Sequence, residues 1–483
     1  MRLGYRSADV VVVGGGASGV IAALASARNG ADTLLVDRYG FLGGMFTGGN
    51  MTVLNCAPAG GIGREIVDTL TEQGAAGRCP DDPPNYPIFH YASEYSTMNV
   101  VYDSEMAKIL LYELVRRAGV RLLLHSYMTD VILDTDEITG VVVVNKSGKQ
   151  VITGKVIIDA TGDADVAAPA GVPFRKGQRG NVLFAMTMLV RLSNVDWPAV
   201  SEYSKGDCGL KDAIQKATTN GELPYYRPRT RQMPNYWGHA RPEISHLLHA
   251  DEALLWGGTV EGKDGTNVDD LTSAEIEVRE QYMSELNFLK KYVPGFADAR
   301  IQSTGVSVGV RDTRHIIGAQ VLTGKDILKR RRFPDAVAYN IKGGFVANDI
   351  PYGCLVPQGV DNLLVCGNGI SVIPGSTQMG LQLGSYNNVK DIPSMWTTGE
   401  AVGTAAAMCI VSGKNPRAID VARLQRQLWE QGALIESERN EQLERQLLPS
   451  GKTIAQFYEE LLTNMRTYWE SRGDLIESAT ASR

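Results

Sequence analysis

Three glycines near the N-terminus have the spacing that binds the phosphates of a dinucleotide. The stretch Gly14-Gly15-Gly16-Ala17-Ser18-Gly19 directly follows a short apolar run and directly precedes a helix-like segment. In such a turn the first glycine permits a tight bend, the second lets a pyrophosphate approach the backbone, and the third lets helix and strand pack closely. The helix N-terminus adds free N–H groups and the positive end of a dipole. We therefore expect a dinucleotide to contact Gly14, Gly16, Ala17 and Ser18.

An acidic residue follows at the distance expected for a ribose. Asp37 ends the second predicted strand, 18 residues after Gly19, where a carboxylate accepts hydrogen bonds from the adenosine ribose. The chain then continues to Gly49 through a loop with two glycine pairs, 43–44 and 48–49. An NAD-binding site needs nothing there, whereas FAD must pass its chain and flavin ring across this loop. The pattern therefore favours FAD.

Later segments also join strand ends to glycine-rich turns. The segment Asp159–Asp165 (DATGDAD) ends a buried strand, and its small residues permit close passage of a nucleotide. The segment Leu363–Gly369 is another strand that ends in glycine. The stretch Pro393–Gly403 is typical of the start of a helix whose dipole would stabilise negative charge on a reduced flavin. The cofactor site is therefore expected to be assembled from distant parts of the chain.

The elements that must position these loops are predicted from hydrophobic periodicity. A β-α-β unit is predicted from strand 8–13, helix 17–29 and strand 32–36, and its helix ends at Gly30. The next helix, 102–119, has Asp103 or Ser104 as its cap. Four consecutive strands indicate a β-meander that returns to a parallel sheet. The predicted elements are strand 8–13, helix 17–29, strand 32–36, helix 102–119, strands 120–124, 129–133, 140–145, 151–159 and 183–192, helix 273–292, strands 301–310 and 363–365, and helix 399–410.

The expected fold class is α/β, with a Rossmann-type FAD-binding domain, an inserted α+β substrate domain and a helical C-terminal tail. The predicted FAD-binding domain has two parts, residues 1–173 and 306–436, and the insertion spans 174–305. The tail, 437–483, has apolar residues at helical spacing, which predicts a homo-oligomer formed partly through this segment. The alternative is that the tail helix packs on its own FAD domain. These apolar residues are Phe457, Leu461, Met465 and Trp469.

Composition and charge argue against several other classes of function. The net charge of -6 gives no global field for nucleic acid. No apolar run reaches the ~18–20 residues that span a bilayer, and the N-terminus leads almost directly into a strand, which leaves no room for a signal peptide. The six cysteines have neither Cys-x-x-Cys nor metal-like spacing. We expect a cytoplasmic protein with no metal site, no nucleic-acid partner and no membrane span.

Together these motifs resemble those of FAD-dependent oxidoreductases of the glutathione-reductase structural type, in the branch related to the flavoproteins of fumarate reductase and succinate dehydrogenase. The resemblance runs from about Ala8 to Ile435. It is most specific at Gly14–Gly19, Leu42–Gly49, Val156–Val172, Gly309–Gly318 and Pro393–Ala407. It implies FAD contacts at Gly14, Gly16, Ser18, Asp37, Arg38, Gly43, Gly44, Val131, Ala160, Gly162, Gly367 and Gly399.

The chain departs from this pattern at two places. Relatives with covalently bound flavin have a histidine after the paired glycines, and Met45 stands there instead. We therefore expect the FAD to be held non-covalently. The stretch 370–389 lacks the histidines that similar sequences often carry, so the resemblance does not identify the substrate.

Arginines are the main catalytic candidates. Arg311 and Arg314 follow a predicted strand at the return from the insertion and match the family pattern. They could orient a carboxylate or carbonyl over the flavin, or pair locally with Asp312 or other acids. The aromatic and basic stretches 225–231 and 236–241 suit an anionic or aromatic substrate, and His239 is the third catalytic candidate. The alternative is that they form an exposed basic loop.

The leading interpretation is an enzyme that transfers hydride between a small organic substrate and FAD, with an electron acceptor that the sequence does not identify. An aromatic monooxygenase shares the first fingerprint but must reduce its flavin with NAD(P)H, and the chain has no second dinucleotide fingerprint. A non-catalytic FAD subunit of a larger redox complex is the third interpretation.

Overall fold

The computed structural model describes residues 4–54, 60–77, 100–177, 183–206, 210–224, 243–324, 326, 331–341, 347–373 and 390–433. His239 and the predicted tail lie outside the described residues. The helices are α1 Ala17–Arg28, α2 Met45–Gly48, α3 Gly61–Glu72, α4 Ser104–Arg117, α5 Trp197–Gly206, α6 Lys211–Thr219, α7 Val268–Tyr292, α8 Ile392–Ser412 and α9 Val421–Glu430.

Four of the described strands have eight or more residues, and the others have six or fewer. The strands are β1 Gly4–Val13, β2 Thr33–Val36, β3 Val53–Leu54, β4 Ala76–Gly77, β5 Val100–Tyr102, β6 Arg121–Leu123, β7 Tyr127–Asp134, β8 Glu137–Asn145, β9 Gly148–Asp159, β10 Phe174–Lys176, β11 Met186–Thr187, β12 Val190–Ser193, β13 Glu243–His246, β14 Ala253–Trp256, β15 Thr259–Val260, β16 Arg300–Thr304, β17 Arg314–Ile316, β18 Ala336–Ile341, β19 Ala347–Pro351 and β20 Leu363–Val365.

A seven-stranded sheet organises the cofactor side of the molecule. Its order is β6-β2-β1-β9-β8-β7, and β20 pairs with β9. The strands β6, β2, β1, β9 and β20 are parallel, whereas β7, β8 and β9 form an antiparallel meander. Strand β1 carries a run of valines that are buried on both faces, as expected for a central parallel strand. The predicted α/β fold and its β-α-β unit are confirmed. The predicted meander of four strands is wrong in its first strand, because β6 pairs in parallel with β2 at the opposite edge of the sheet from β7.

Two helices cover one face of this sheet and contact each other closely. A Cβ at Gly399 would lie 2.3 Å from the Ser18 carbonyl oxygen, and one at Gly403 would lie 2.2 Å from the Ala22 carbonyl oxygen. Helices α1 and α8 can therefore approach because α8 has glycine at both positions. Helix α8 starts at Ile392, where the stretch Pro393–Gly403 is predicted to begin a helix and seven residues before the predicted segment 399–410. Pro393 is favourable in the first helical turn.

A second sheet, β13-β14-β12-β16, is antiparallel and lies between residues 190 and 304, within the segment predicted as an insertion. We call it the inserted sheet. Helix α7 packs on one face, through Val278, Tyr282 and Leu289. This helix begins five residues before the predicted start, because the Asn267 side chain accepts hydrogen bonds from two backbone N–H groups of the first turn.

Two predicted strands are shorter in the structure. The segment 183–192 contains the two short strands β11 and β12, and the segment 301–310 leaves the sheet after Thr304. Beyond Thr304 the chain packs in irregular conformation, with Val306 and Gly309 against the glycine-rich loop 43–49. Hydrophobic periodicity does not distinguish such a segment from a strand.

Within the described ranges, no helix combines the length and apolar character needed to cross a membrane. The same residues contain no group of three His, Cys, Asp or Glu side chains arranged to hold a metal ion.

Candidate active site

Two glycine-rich turns, which are separated in the sequence by α1 and β2, lie against each other at the carboxyl end of β1. The Gly43 N–H donates to the Gly15 carbonyl oxygen at 2.7 Å, and Gly16 and Gly43 form an isolated parallel bridge. A Cβ at Gly44 would lie only 2.9 Å from the Cα of Gly16. Gly43 and Gly44 both have positive φ values, +99° and +54°, which glycine adopts without steric cost. The predicted cofactor segments 14–19 and 43–49 are thus parts of one cradle.

Gly14 and Gly19 of the first turn have the structural roles that their positions predict. Gly14 has a φ of +101°, and a Cβ there would lie 2.4 Å from the Ala160 carbonyl oxygen. A Cβ at Gly19 would lie 1.8 Å from the Gly14 carbonyl oxygen, so this glycine lets α1 contact the strand end. Gly14 and Gly19 are therefore required by the chain itself.

Gly16 differs because nothing in the described chain fills the space beside it. No atom lies within 4 Å of a Cβ added at Gly16, and its φ of -70° is open to any residue. No side chain caps the N-terminus of α1, which begins at the next residue with Ala17 and Ser18. The cradle therefore offers space and backbone N–H donors where a pyrophosphate would bind. The residues present fit FAD.

Asp37 and Arg38 form the side of the cradle at the end of β2. Asp37 accepts hydrogen bonds from the N–H groups of Gly15 and Tyr39, at 2.5 and 2.6 Å. Burial raises the pKa of the Asp37 carboxyl, and these two N–H donors oppose the shift. The Arg38 guanidinium lies 4.8 Å from the centroid of the Tyr39 ring and forms no hydrogen bond or salt bridge with other described residues. Its N–H donors are therefore available to a ligand.

The loop after β9 forms the opposite side. Asp163 accepts a hydrogen bond from the Thr313 hydroxyl at 2.6 Å, and burial raises the pKa of this carboxyl to about 6. Arg38 and Arg314 both lie close enough to oppose that shift. Ala160 is buried at the strand end, and Gly162 has a φ of +86° with nothing within 4 Å of an added Cβ. The loop thus presents open backbone next to a carboxylate.

The remaining predicted FAD contacts lie around this cradle. Val131 is half-buried on the meander strand β7. Gly367 follows β20, and a Cβ there would lie 2.6 Å from the Ser18 hydroxyl oxygen. Gly399 faces α1 in the interior of α8. The roles of all these residues in FAD binding stay predictions.

Arg311 lies against the inserted sheet. Its guanidinium donates to the Thr187 hydroxyl at 3.1 Å and lies 5.5 Å from the centroid of the Trp256 ring. Asp312, the simplest local partner, instead contacts His315 at 2.9 Å, and both side chains are buried. Arg311 is therefore held by the wall formed by β11 and β14.

Arg314 has a different environment. It donates to the Asp163 carbonyl oxygen and to the Asp165 carboxylate, both at 2.9 Å. These contacts match the local pairing that the sequence left open for the two arginines. They connect β17 to the loop that follows β9. Arg314 therefore helps to hold this loop in place.

A buried carboxyl group lies behind the Arg311 wall. Glu285 on α7 is 8% exposed, and its Oε2 has no hydrogen-bond partner among the described residues. It lies against Gly257, where a Cβ would come within 2.3 Å of both carboxyl oxygens. Burial raises the pKa of Glu285 to about 8. The charge of this group and that of Arg311 both act on Tyr282, whose own pKa burial raises.

We expect Glu285→Gln to stabilise the protein selectively at alkaline pH. The folded pKa lies above the ordinary value of 4.5, so the folded chain holds this proton over a pH range where the unfolded chain releases it. Stability must then fall as the pH rises from 4.5 through about 8. The neutral amide removes this dependence.

Thermal unfolding at about pH 5 and about pH 9 checks the expectation. The melting temperature of Glu285→Gln should fall less between the two pH values than that of the wild type. Glu280→Gln, on the exposed side of the same helix, is the matched control and should behave as the wild type does. An equal fall of the melting temperature in all three proteins would show that ionisation of Glu285 does not destabilise the folded protein.

Sequence reasoning missed several side chains that shape this site. Thr187 and Trp256 give no local signal, because their proximity to Arg311 depends on how the sheets meet. Glu285 could have been found, since it shares the helical spacing of Val278, Tyr282 and Leu289 and is thus a lone acid on an apolar face.

Comparison with known proteins bears on this arrangement. A model of the FAD-dependent oxidoreductase family matches residues 9–343 and 342–428 of the chain. The thiamine thiazole synthase of Methanococcus vannielii is 31% identical over 169 residues, which are 33% of this chain and 58% of that protein. The match thus spans less than two thirds of that synthase.

Two further known proteins are matched over nearly their whole length. The "uncharacterized protein in nifH2 5'region" of Methanosarcina barkeri is 30% identical over 197 residues, 38% of this chain and 97% of that protein. The crystal structure of p-nitrophenol 4-monooxygenase from Pseudomonas putida DLL-E4 aligns with a TM-score of 0.49 and 12% identity, over 96% of this chain and 98% of that one.

Proposed function

Because this chain belongs to the FAD-dependent oxidoreductase family, we propose that it transfers hydride between a small organic substrate and non-covalently bound FAD. The substrate carries a carboxylate, or a carbonyl that gains negative charge during the reaction. It binds between the glycine cradle, formed by residues 14–19 and 43–49, and the wall of the inserted sheet around Arg311.

One observation carries this proposal: the segment that leads to Arg311 lies directly against the cofactor cradle. The Val306 N–H donates to the Gly48 carbonyl oxygen at 2.9 Å. Gly309 exchanges backbone hydrogen bonds with Thr187, the residue whose hydroxyl also accepts from Arg311. A guanidinium is thereby held beside the loop across which a flavin ring would extend.

The chain's own residues supply binding and orientation. The N-terminus of α1 and the open side of Gly16 bind phosphate, and Asp37 retains acceptor capacity for a ribose hydroxyl. Arg311 can donate two parallel hydrogen bonds to a carboxylate, because a guanidinium presents its N–H groups as a planar fork. FAD, when bound, supplies the chemistry of accepting or giving two electrons as hydride.

Met45 supports non-covalent binding. It occupies the position where covalently flavinylated relatives have histidine, and its side chain is 36% exposed at the cradle. A thioether offers no ring nitrogen for such a link. Placement in the branch related to fumarate reductase rests on the sequence motifs alone.

We also propose that residues 174–305 form the substrate domain. The antiparallel sheet of β12, β13, β14 and β16 and the helix α7 share a hydrophobic core of their own, which supports this division.

The direct test is an anaerobic screen for bleaching of the flavin absorbance by small carboxylates, aromatic acids and amines. Reduction by one compound alone supports the proposal. Reduction only when NADPH accompanies the compound would replace the proposal with a monooxygenase, and no reduction by any small molecule would favour a non-catalytic FAD subunit.

A further inference from the structure

Asn50 has an unusual backbone conformation at the end of the glycine-rich loop. Its φ is +54°, in the left-handed region that residues other than glycine rarely adopt, and only 7% of the residue is exposed. Asparagine enters this region more readily than most residues, but a buried position there persists only where the surroundings hold it. Among the described residues, the hydrogen bonds of the Asn50 side chain are to Ser303 of β16 and to Leu189, directly before β12.

The carboxamide of Asn50 bridges two neighbouring strands. Its Nδ2 donates to the carbonyl oxygens of Leu189 and Ser303, at 3.3 and 3.2 Å. The Ser303 hydroxyl donates to Asn50 Oδ1 at 3.4 Å. Leu189 directly precedes β12 and Ser303 belongs to β16, and these strands pair with each other at this end of the sheet. One side chain therefore satisfies carbonyl groups of both strands at the point where the sheet meets the cradle.

Further contacts extend this junction towards Arg311. Besides the Val306–Gly48 hydrogen bond, the Tyr39 hydroxyl donates to the Ser307 hydroxyl oxygen at 3.3 Å. A Cβ at Gly309 would lie 3.1 Å from the terminal methyl of Met45. The loop that includes the cradle is thus in contact with the segment from Ser303 to Gly309, which leads to Arg311.

We propose that Asn50 is a positioning residue that fixes the inserted sheet, and with it Arg311, against the glycine-rich loop. The inference rests on the function proposed above for Arg311 and the cradle. Asn50 acts without touching the substrate: it sets the distance between the guanidinium and the cofactor.

The chemistry of the side chain makes the proposal testable. The Asn50 amide donates to both carbonyl oxygens, and the Leu189 oxygen also accepts from the Gly305 N–H at 3.0 Å. Aspartate at this position would place carboxylate oxygens opposite two carbonyl oxygens, which repel them. Glycine adopts the left-handed conformation without strain but has no donor. Asn50→Gly therefore removes the bridge alone, and Asn50→Asp reverses its electrostatics.

The first measurement is amide hydrogen exchange of the full-length protein in peptides covering 186–193 and 303–311. We expect faster exchange in both peptides of Asn50→Gly, because the ends of β12 and β16 lose their tether. Asn194→Gly is the matched control, since Asn194 also has a left-handed φ of +62° but lies exposed in the loop after β12. It should exchange in the region of 303–311 as the wild type does.

The second measurement is quenching of flavin fluorescence in the FAD-loaded protein by iodide and by acrylamide. A released sheet should expose the flavin and raise both quenching constants severalfold in Asn50→Gly, with FAD content unchanged. A purely stabilising role would lower the melting temperature and leave quenching in the intact protein unaltered. Acrylamide is neutral, so its quenching constant reports the exposure of the flavin and is not affected by the changed local charge in Asn50→Asp.

The outcomes separate this inference from the proposed function. Wild-type exchange and wild-type quenching in Asn50→Gly would overturn the inference, even if Asn50→Asp fails to fold. A wild-type protein that binds no FAD would overturn the proposed function. In that case unchanged exchange in Asn50→Gly would still refute the tether, and faster exchange confined to both peptides would still support it.

Discussion

Gly16→Val is expected to yield a folded chain that loses its FAD during purification. No atom of the described protein lies within 4 Å of a Cβ at this position, and the φ of -70° suits valine. The fold of the protein should therefore tolerate the side chain. The two valine methyl groups would occupy the space that the pyrophosphate needs beside the N-terminus of α1. We therefore expect the substitution to impair FAD binding and to leave the fold unchanged.

Flavin absorbance per chain after gel filtration measures this loss, and circular dichroism reports the fold. Gly206→Val is the matched control: an added Cβ there also meets nothing within 4 Å, at the exposed end of α5. It should retain full flavin. Full flavin in Gly16→Val as well would show that this turn is structural and that the pyrophosphate binds elsewhere.

Arg311→Lys is expected to retain FAD and to lose most of its substrate-driven flavin reduction. The guanidinium donates to the Thr187 hydroxyl of β11 and lies over the Trp256 ring of β14. Lysine keeps the charge but loses the planar fork that holds a carboxylate by two hydrogen bonds. Removing such a contact to developing negative charge typically costs on the order of 10²-fold in rate.

The measurement is the rate of anaerobic flavin bleaching by the compound that reduces the wild type, together with flavin content. Arg300→Lys provides the control, since Arg300 also donates to a hydroxyl group of the inserted sheet, that of Ser193, at 3.2 Å. It should reduce its flavin at the wild-type rate. Normal reduction in Arg311→Lys would remove Arg311 from the active site, and loss of flavin would make it a residue needed for folding.

The sequence predicted the cofactor side of this fold because its signals are local. The glycines of 14–19 lie between a strand and a helix within one continuous segment, so spacing alone indicates the turn and the acid at Asp37. The same holds for the cap at Asp103, whose carboxylate accepts hydrogen bonds from the N–H groups of Glu105 and Met106. Such features depend on neighbours a few residues away.

The substrate side could not be predicted to the same depth, because its contacts join residues far apart in the chain. Thr187 and Arg311 are separated by 124 positions, and Asn50 and Ser303 by 253. No periodicity encodes such pairs. The motifs also predicted equal roles for Arg311 and Arg314, whereas Arg311 contacts Thr187 and Trp256 and Arg314 is paired with Asp165. Only the packing of the two sheets distinguishes them.

The central claim, that this chain holds FAD non-covalently in the glycine cradle, is tested most directly by the flavin content of the purified protein. We expect a yellow protein with the absorbance bands of oxidised flavin and about one FAD per chain, released intact into the supernatant by acid or heat. Flavin that remains with the precipitated chain would contradict the non-covalent claim. A colourless protein that does not bind added FAD would contradict the whole account.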